Sequence, residues 1–438
     1  MDARAQQRPE PPWPATPLPV MTNRRTVLQL AGLAGAGAVL GACDSRTTAD
    51  PEPSPGDLLV VETGAGLSVV DSGTGRTTVP AAPSILTGDH TRLVRGEWTG
   101  KGTKLATHRL PGGEVVAGGL VRDRLEVRVA SADGRLVALA SPAGPRGSTT
   151  IVVADGSGER TRVDLPGNLD PEAFDVTGQY LFVLDYLPPT APDRYRVRAL
   201  NLRSGALEPL LTRDKAVLPP GAEEEMRGQG RQAVYDAKRQ QLFTLYTHQP
   251  DHLHSRDLLA GARDGSPQVH AFVHTLHLGQ RWAYCVDLPE PFGVRAAERH
   301  AIALSGDGLR LCVVDAVTST VAMIDPEGLT VLSTTPLAAP TGAGPATAAF
   351  TADGRRLVVG GGDKVVVMPM GTSDKATRWS TASPVRGLAL LDGTGPGGTG
   401  KVYAGQDGAV TAHDMTTGRQ LSRTEVPGLV SVRQVIAR

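Results

Sequence analysis

The chain has 438 residues, which exceeds one ordinary compact core and predicts either several domains or a repeat architecture. Lysine plus arginine and aspartate plus glutamate each total 45, so the formal net charge is zero. This balance excludes the broad basic surface that general nucleic-acid binding requires. With 52 glycines, 34 prolines and 4% aromatic residues, the composition favours many short elements joined by turns.

Residues 1–42 are predicted to be an export signal rather than part of the folded body. Residues 1–22 are rich in proline, and Met21 is an alternative start to Met1. Arg24 and Arg25 precede an uncharged, glycine-diluted segment over residues 26–42, which is shorter than the roughly 20 apolar residues of a spanning helix. A basic region, a short apolar region and small residues at the end are typical of an export signal.

Two motifs of this leader resemble known bacterial signals. The Arg24-Arg25 pair resembles the twin-arginine export signal, with the Sec route as the alternative. The end of the segment, Leu40-Gly41-Ala42-Cys43, resembles the lipobox of bacterial lipoproteins. The resemblance implies diacylglyceryl modification of the Cys43 thiol and a membrane partner, and a plain N-terminal anchor is the alternative. Residues 43–57, polar and proline-rich after the cysteine, are predicted to be a flexible tether.

From residue 58 onward one pattern recurs, in which a tight turn joins two apolar strands. Its turns centre on residues 89, 133, 177, 238, 307, 353 and 392, at intervals of 44, 44, 61, 69, 46 and 39. Several contain Asp-Gly, a hairpin signal because glycine tolerates the positive φ that the turn needs. The two long intervals contain insertions at residues 219–230 and 249–268. Repeats of about 40–45 residues made of short strands are typical of β-propeller blades.

A second turn follows in most units and predicts four antiparallel strands in each. These second turns lie at residues 155–158, 201–205, 325–328 and 414–418. The last unit is incomplete at the C-terminus, where only the strand 430–436 remains, and strands at 58–61, 67–71 and 76–79 supply what is missing. We therefore predict an all-β propeller over residues 58–438, closed by pairing of the C-terminal strand with the N-terminal strands. The count is eight blades, with seven as the alternative.

Two of these units resemble a known group of repeats. Ala301–Gly308 and Ala349–Val359 resemble the YncE-like (YVTN) and WD40-like β-propeller repeats, although the Trp-Asp dipeptide of true WD40 blades is absent. The resemblance implies an extracytoplasmic propeller and specifies no ligand. Lactonase-like propellers, which use scattered acidic, amide and histidine side chains at the channel mouth, remain an alternative.

The histidines are the main chemical feature of the sequence. Seven of the ten lie between residues 248 and 300, and His248, His252 and His254 are weak candidates for metal ligands because imidazole beside carboxylate suits zinc or copper. In the apparent strand 270–277, His270 and His274 are expected on one face and His277 on the other. Solvated loop histidines are the alternative interpretation.

The other candidate residues have structural interpretations. The acidic run Glu223–Glu225 is expected to be a solvated loop, with the start of a short helix as the alternative. Cys285 and Cys312 lie in apolar strand patterns and are expected to be buried free thiols, with a disulfide as the alternative. The two insertions are expected at the same end of the ring, where loops on a rigid scaffold carry binding residues.

These observations predict a monomeric, exported, membrane-anchored propeller at the outer face of the cytoplasmic membrane. The predicted role is binding or scaffolding for a protein or small-molecule ligand on the loop face, with no cofactor and no assigned catalytic residue. An enzyme with a site at the channel mouth, lactonase-like or a metal-assisted hydrolase, and a metal-binding protein are the alternatives. Motifs of serine hydrolases, phosphate-binding loops and zinc proteases are absent from the sequence.

Overall fold

The computed structural model describes residues 55–227, 231–337, 344–370, 376–393 and 400–438. The predicted export signal, including Arg24 and Arg25, and the predicted lipidation site Cys43 lie outside the described residues. Within the described part, no helix has the length and apolar character needed to cross a bilayer.

The described residues form 32 strands arranged as eight four-stranded antiparallel sheets. The first sixteen strands are β1 (Leu58–Thr63), β2 (Gly66–Asp71), β3 (Thr77–Ala82), β4 (Ser84–Leu86), β5 (Arg92–Trp98), β6 (Thr103–Arg109), β7 (Val115–Val121), β8 (Glu126–Ala130), β9 (Val137–Ala140), β10 (Ser148–Asp155), β11 (Gly158–Pro166), β12 (Asn168–Phe174), β13 (Tyr180–Leu187), β14 (Arg194–Asn201), β15 (Leu207–Pro209) and β16 (Gln232–Asp236).

The second half of the chain continues the same arrangement. Its strands are β17 (Gln241–Tyr246), β18 (Ala271–His277), β19 (Trp282–Leu288), β20 (His300–Leu304), β21 (Leu311–Asp315), β22 (Thr320–Asp325), β23 (Thr330–Pro336), β24 (Ala346–Phe350), β25 (Arg356–Gly361), β26 (Lys364–Pro369), β27 (Thr377–Ser380), β28 (Leu388–Leu391), β29 (Lys401–Gln406), β30 (Ala409–Asp414), β31 (Gln420–Glu425) and β32 (Leu429–Ile436). The described helices are α1 (Ser255–Leu259) and a 3-10 turn, Ala297–Arg299.

Each sheet is one blade of an eight-bladed propeller. Blade 1 has the order β3-β2-β1-β32, and blades 2 to 8 contain four consecutive strands each, from β4–β7 to β28–β31. First strands of most neighbouring blades contact one another, so they form the inner ring. The predicted eight blades are confirmed, and the alternative of seven is wrong because residues 58–121 form the three N-terminal strands of blade 1 and all of blade 2.

The C-terminal strand closes the ring as predicted. Strand β32 pairs antiparallel with β1, which places Val432 opposite Val61 and Val435 opposite Leu59. The last residue, Arg438, donates from Nη1 to Asp71 Oδ2 at 2.6 Å. Asp57, just before β1, accepts hydrogen bonds on Oδ2 from Tyr403 of blade 8 at 2.5 Å and from Lys401. Closure removes the exposed sheet edges that an open ring would present.

The recurring first turn is held by one hydrogen-bond pattern. In blade 3, Ser131 Oγ donates to Asp133 Oδ1 at 2.7 Å, and the same carboxylate oxygen accepts the N–H of Arg135 at 3.1 Å. The Ser131 hydroxyl also accepts the N–H of Leu136, and Gly134 adopts a φ of +66°, a value that favours glycine. The pattern repeats at Thr87/Asp89, Ser305/Asp307 and Thr351/Asp353. The hydroxyl–x–Asp sequence therefore encodes the hairpin locally.

The hydrophobic core of the described chain is divided into eight clusters, each filling the junction between two neighbouring blades. On β1, Leu59 and Val61 face blade 8, whereas Leu58 and Val60 face blade 2. Successive strand residues point to opposite faces, and here both faces are covered. This explains why the strands next to the inner ring, such as β1, β9 and β21, have continuous apolar runs rather than alternating patterns.

Candidate functional site

The two long insertions leave the ring at the same end and meet over blades 4 and 5, as predicted. One insertion joins β15 to β16 and is described as far as residue 227, and the other joins β17 to β18. The Gln249 side chain links them, since its Oε1 accepts the N–H of Arg227 at 3.1 Å and its Nε2 donates to the Arg227 carbonyl. Met226 exchanges two backbone hydrogen bonds with Tyr195 of β14. The two insertions are therefore joined to each other through Gln249, and the first is joined to β14 through Met226.

A buried carboxylate from one insertion contacts two histidines from the other. Glu224 Oε1 lies 2.8 Å from Nε2 of His252 and 3.0 Å from Nδ1 of His254. The histidine side chains are each 5% exposed and that of Glu224 is 9% exposed. Phe272 of β18 stacks on the His252 ring, with centroids 4.5 Å apart. The structure thus brings His252 and His254 together around Glu224, a member of the acidic run that the sequence analysis expected to be solvated.

Cys285 of β19 completes this cluster from the blade itself. Its Sγ lies 3.0 Å from the same Glu224 Oε1, so two imidazoles and one thiol converge on one oxygen atom. Cys285 and Cys312 are both buried and free, which confirms the expectation of unpaired thiols. Only Cys285 has these polar neighbours. Its position follows from the alternation of β19, which directs Ala283 and Cys285 to the face that the insertions cover.

A second carboxylate holds His254 from its other side. His254 Nε2 lies 2.6 Å from Asp287 Oδ1, and Arg256 Nη2 donates to Asp287 Oδ2 at 2.6 Å. Arg256 also donates to the Cys285 carbonyl at 2.6 Å, which ties α1 to β19. Both ring nitrogens of His254 therefore have carboxylate partners, and the ring orientation is determined.

The electrostatics of the cluster follow from burial and these contacts. Burial alone raises the pKa of Glu224, but hydrogen bonds and charge from His252 and His254 lower it well below the ordinary value. Burial alone lowers the pKa of His254, but Asp287 and Glu224 raise it to about 9. Burial and the neighbouring Glu224 raise the pKa of Cys285 well above that of a free thiol. Without a further ligand, the cluster at neutral pH contains a carboxylate, an imidazolium and a neutral thiol.

This cluster lies at the wall of a pocket of about 430 Å³ between blades 4 and 5. Glu224, His254 and Cys285 line it together with Arg256 and the buried His274. The apolar part of the lining consists of Val197, Leu210, Leu211, Ala216, Leu218, Met226, Leu259, Ala283 and Tyr284, and further polar groups come from Thr212, Arg213, Asp214, Glu223 and Ser255. A concave site that combines apolar side chains with convergent polar groups is the general form of a small-ligand site.

The remaining histidines of the predicted constellation serve other contacts. His248 does not join the cluster: its Nδ1 lies 2.8 Å from Thr247 Oγ1, and its electrostatic neighbours are His300, Glu298 and His270. The structure therefore places His248 apart from His252 and His254. His274 is buried against Tyr246, and His277 packs on Trp282, on opposite faces of β18 as predicted.

The acidic run lies in a loop and does not start a helix, and the expectation that it is solvated holds for Glu225 but is wrong for Glu223 and Glu224. Glu223 is 12% exposed and pairs with Arg196 at 2.9 Å and Arg198 at 3.0 Å of β14. Glu224 faces the histidine cluster, and Glu225 pairs with Arg194 at 2.5 Å. Sequence reasoning missed these roles because the arginines alternate along β14, and only the fold places that row beneath the insertion.

The inner strands also carry charges near the axis of the ring. Arg128 of β8 lies 3.2 Å from Asp170 of β12, and Arg231, just before β16, pairs with Glu172. Burial raises the pKa of Asp170. Each of these carboxylates pairs with an arginine from an adjacent blade, so the ion pairs link neighbouring blades.

No family model matches the chain, and no curated protein matches its sequence. Solved structures do match. Apo AztD from Citrobacter koseri has a TM-score of 0.51 at 11% identity, over 87% of this chain and 97% of that chain. The dihydro-heme d1 dehydrogenase NirN in complex with DHE has a TM-score of 0.48 at 13% identity, over 90% and 77%. The periplasmic gluconolactonase PpgL of Pseudomonas aeruginosa has a TM-score of 0.42 at 18% identity, over 88% and 99%. At these identities the similarities show the fold alone.

Proposed function

We propose that this chain is an exported lipoprotein, anchored through Cys43 at the outer face of the cytoplasmic membrane, whose propeller binds a small ligand in the pocket between blades 4 and 5. The leader supports the first part, since Arg24-Arg25 and Leu40–Cys43 resemble export and lipidation signals. The resemblance of the repeats to YncE-like propellers agrees with an extracytoplasmic address. A lipid on Cys43 with the tether to residue 57 leaves the body free to present its loop face.

One observation supports binding above all: both long insertions of the repeat are used to build one pocket. The other connections within blades 4 and 5 have four to six residues. Gln249 joins the two insertions to each other, and Met226 joins the first insertion to β14. Ordered loops on a rigid scaffold are where binding residues concentrate, and long ordered loops require a reason to persist. The lining favours a ligand with an apolar part and a polar end directed at Glu224, His254 and Cys285, and Arg213, Asp214 and Arg256 offer further charged contacts.

The anchoring is tested by fractionating the native host. We expect the wild-type chain in the membrane fraction and Cys43→Ala in the soluble or extracellular fraction. Cys312→Ser, which removes a buried thiol of β21, is the matched control and is expected to stay in the membrane fraction. Membrane retention of Cys43→Ala equal to that of the wild type contradicts the lipid assignment.

The pocket is tested by releasing its natural contents. The full-length protein is purified from its host in mild detergent and denatured, and the small molecules released are identified by mass spectrometry. Ala283→Phe places a ring in the pocket, whereas Ala206→Phe adds the same ring at an exposed position of blade 4. We expect a compound that is released from the wild type and Ala206→Phe but not from Ala283→Phe. An identical set of released compounds from all three proteins contradicts the proposed site.

A further inference from the structure

We propose that Glu224, His254 and Cys285 form a Zn²⁺ site in the wall of this pocket, with the fourth coordination position open toward the pocket. This proposal rests on the proposed function, because it concerns the same pocket, and it identifies the group that binds the polar end of the pocket ligand. One carboxylate oxygen of Glu224, one ring nitrogen of His254 and the Sγ atom of Cys285 all lie within 4.8 Å of one another. A mixed set of thiolate, imidazole and carboxylate suits zinc, which is a borderline-soft ion.

The distances between the donor atoms are close to those that zinc requires. Nδ1 of His254 and Sγ of Cys285 are each 3.0 Å from Oε1 of Glu224. Tetrahedral bonds of about 2.0–2.3 Å place neighbouring donor atoms roughly 3.3–3.8 Å apart. The two donor pairs that include Glu224 therefore need to separate by only a few tenths of an ångström to accept the ion. The donor atoms of His254 and Cys285 are within 4.8 Å of each other.

The surroundings of His254 are an independent indication of a metal site. Histidines that bind metals generally donate the other ring N–H to a carboxylate, which fixes the tautomer. Nε2 of His254 is 2.6 Å from Asp287 Oδ1, and Asp287 is in turn held by Arg256 at 2.6 Å. With the proton on Nε2, Nδ1 carries the lone pair and can bind a metal ion beside Glu224 Oε1, which is 3.0 Å away. His252 Nε2, 2.8 Å from the same oxygen, helps to orient the carboxylate.

Zinc binds a thiolate and a neutral imidazole, so binding to Cys285 and His254 releases any protons that their Sγ and Nδ1 atoms carry. A zinc ion with three protein ligands keeps an open position, where a water molecule or the polar end of the pocket ligand binds.

The second buried cysteine provides a contrast within the same chain. Cys312 lies on β21 with Cα partners Ala303 and Met323, and its pKa is raised by burial to about 12. It belongs to the apolar cluster between blades 6 and 7. Burial is thus common to both thiols, and only Cys285 has imidazole and carboxylate atoms within reach.

The test uses the full-length chain with Cys43→Ala and Cys312→Ser, in which Cys285 is the sole thiol. After chelator treatment the protein is titrated with Co²⁺, whose thiolate charge-transfer band and visible bands report the sulfur ligand and four-coordination. We expect one Co²⁺ per chain, displacement by one Zn²⁺, and a higher melting temperature with Zn²⁺. Asp287→Asn is expected to weaken Zn²⁺ binding by about 10–100-fold, the usual effect of losing such a supporting carboxylate.

Two variants define the ligands. Further substitution of Cys285→Ser or Glu224→Gln is expected to abolish tight binding, while His413→Gln, which alters a buried histidine of blade 8, leaves it unchanged. Circular dichroism verifies folding of each. The absence of a thiolate band in the single-thiol protein, or melting that Zn²⁺ does not shift, overturns the proposal even if the variants misfold. If the protein binds no zinc but still releases an organic compound from the pocket, the zinc site is refuted and the small-ligand function stands. If the protein binds zinc but releases no organic compound, only the small-ligand function is refuted.

Discussion

Ring closure by the C-terminal strand predicts that Val432→Ala destabilises the whole propeller, although Val432 lies only six residues before Arg438. Val432 is 3% exposed and packs with Leu59 and Val61 of β1 and with Tyr403 of blade 8. The substitution removes two carbon atoms, about 0.8 kcal/mol each for transfer. The cavity that remains adds to this, so we expect a loss of about 2–3 kcal/mol in the free energy of unfolding.

The assay is urea unfolding of the full-length protein, followed by far-ultraviolet circular dichroism. Val432→Ala is expected to lower the midpoint with an unchanged slope, which indicates a change in stability rather than in exposed surface. Val430→Ala on the same strand is the matched control, because Val430 is only half-buried and lies outside the cluster. Its expected cost is below about 1 kcal/mol.

The result that refutes this reasoning is a Val432→Ala midpoint equal to that of the wild type or of Val430→Ala. An undocked tail tolerates such a change within about 0.5 kcal/mol. A double-mutant cycle identifies the partner: Val61→Ala, directly opposite Val432, is expected to couple to it by at least about 0.5 kcal/mol. The same cycle with Val402→Ala, in the cluster between blades 7 and 8, is expected to be additive within about 0.5 kcal/mol.

Three further predictions concern acid stability, the closure contact and export. Burial alone raises the pKa of Asp71, but hydrogen bonds from backbone N–H groups outweigh it and lower the pKa from 3.8 to about 2. The ionised Asp71 side chain therefore stabilises the fold above about pH 4, and this stabilisation is lost as the pH falls through about 2. Asp71→Asn is therefore expected to cost about 2 kcal/mol at pH 6, with the gap to the wild type closing toward pH 2 in urea titrations, and a gap independent of pH contradicts this. Tyr403→Phe removes the hydrogen bond to Asp57 and is expected to lower unfolding stability by about 1.5–3 kcal/mol, whereas an unchanged urea midpoint speaks against a closure role for this bond. Replacing Arg24 and Arg25 by lysine is expected to leave unprocessed precursor in the cytoplasm if the twin-arginine route is used, and normal processing on an immunoblot assigns the Sec route.

The architecture was predictable because its signals are local. Each hairpin is encoded within about six residues, as in Ser131–Leu136, where hydroxyl, carboxylate and glycine together form the turn. Repetition of that unit sets the blade count, and the incomplete last unit shows where the ring must close. Ring closure could be predicted without side-chain contacts. A single strand at the C-terminal end and three strands at the N-terminal end complete one four-stranded blade, and this arrangement leaves no open sheet edge.

The candidate site was only partly predictable, because its members are far apart in sequence and their side-chain directions depend on register. His252 and His254 stood out by spacing, yet the same pattern included His248, which the tertiary structure places elsewhere. From the sequence, Glu224 was predicted to be a solvated acid and Cys285 an inert buried thiol. They come into contact because two insertions fold onto one face of β19. Glu224 is 28 residues from His252 and 61 residues from Cys285 in the sequence, and no local pattern predicts contacts at such separations. The repeat thus determined the scaffold, and packing of the non-repeating segments against it determined the chemistry.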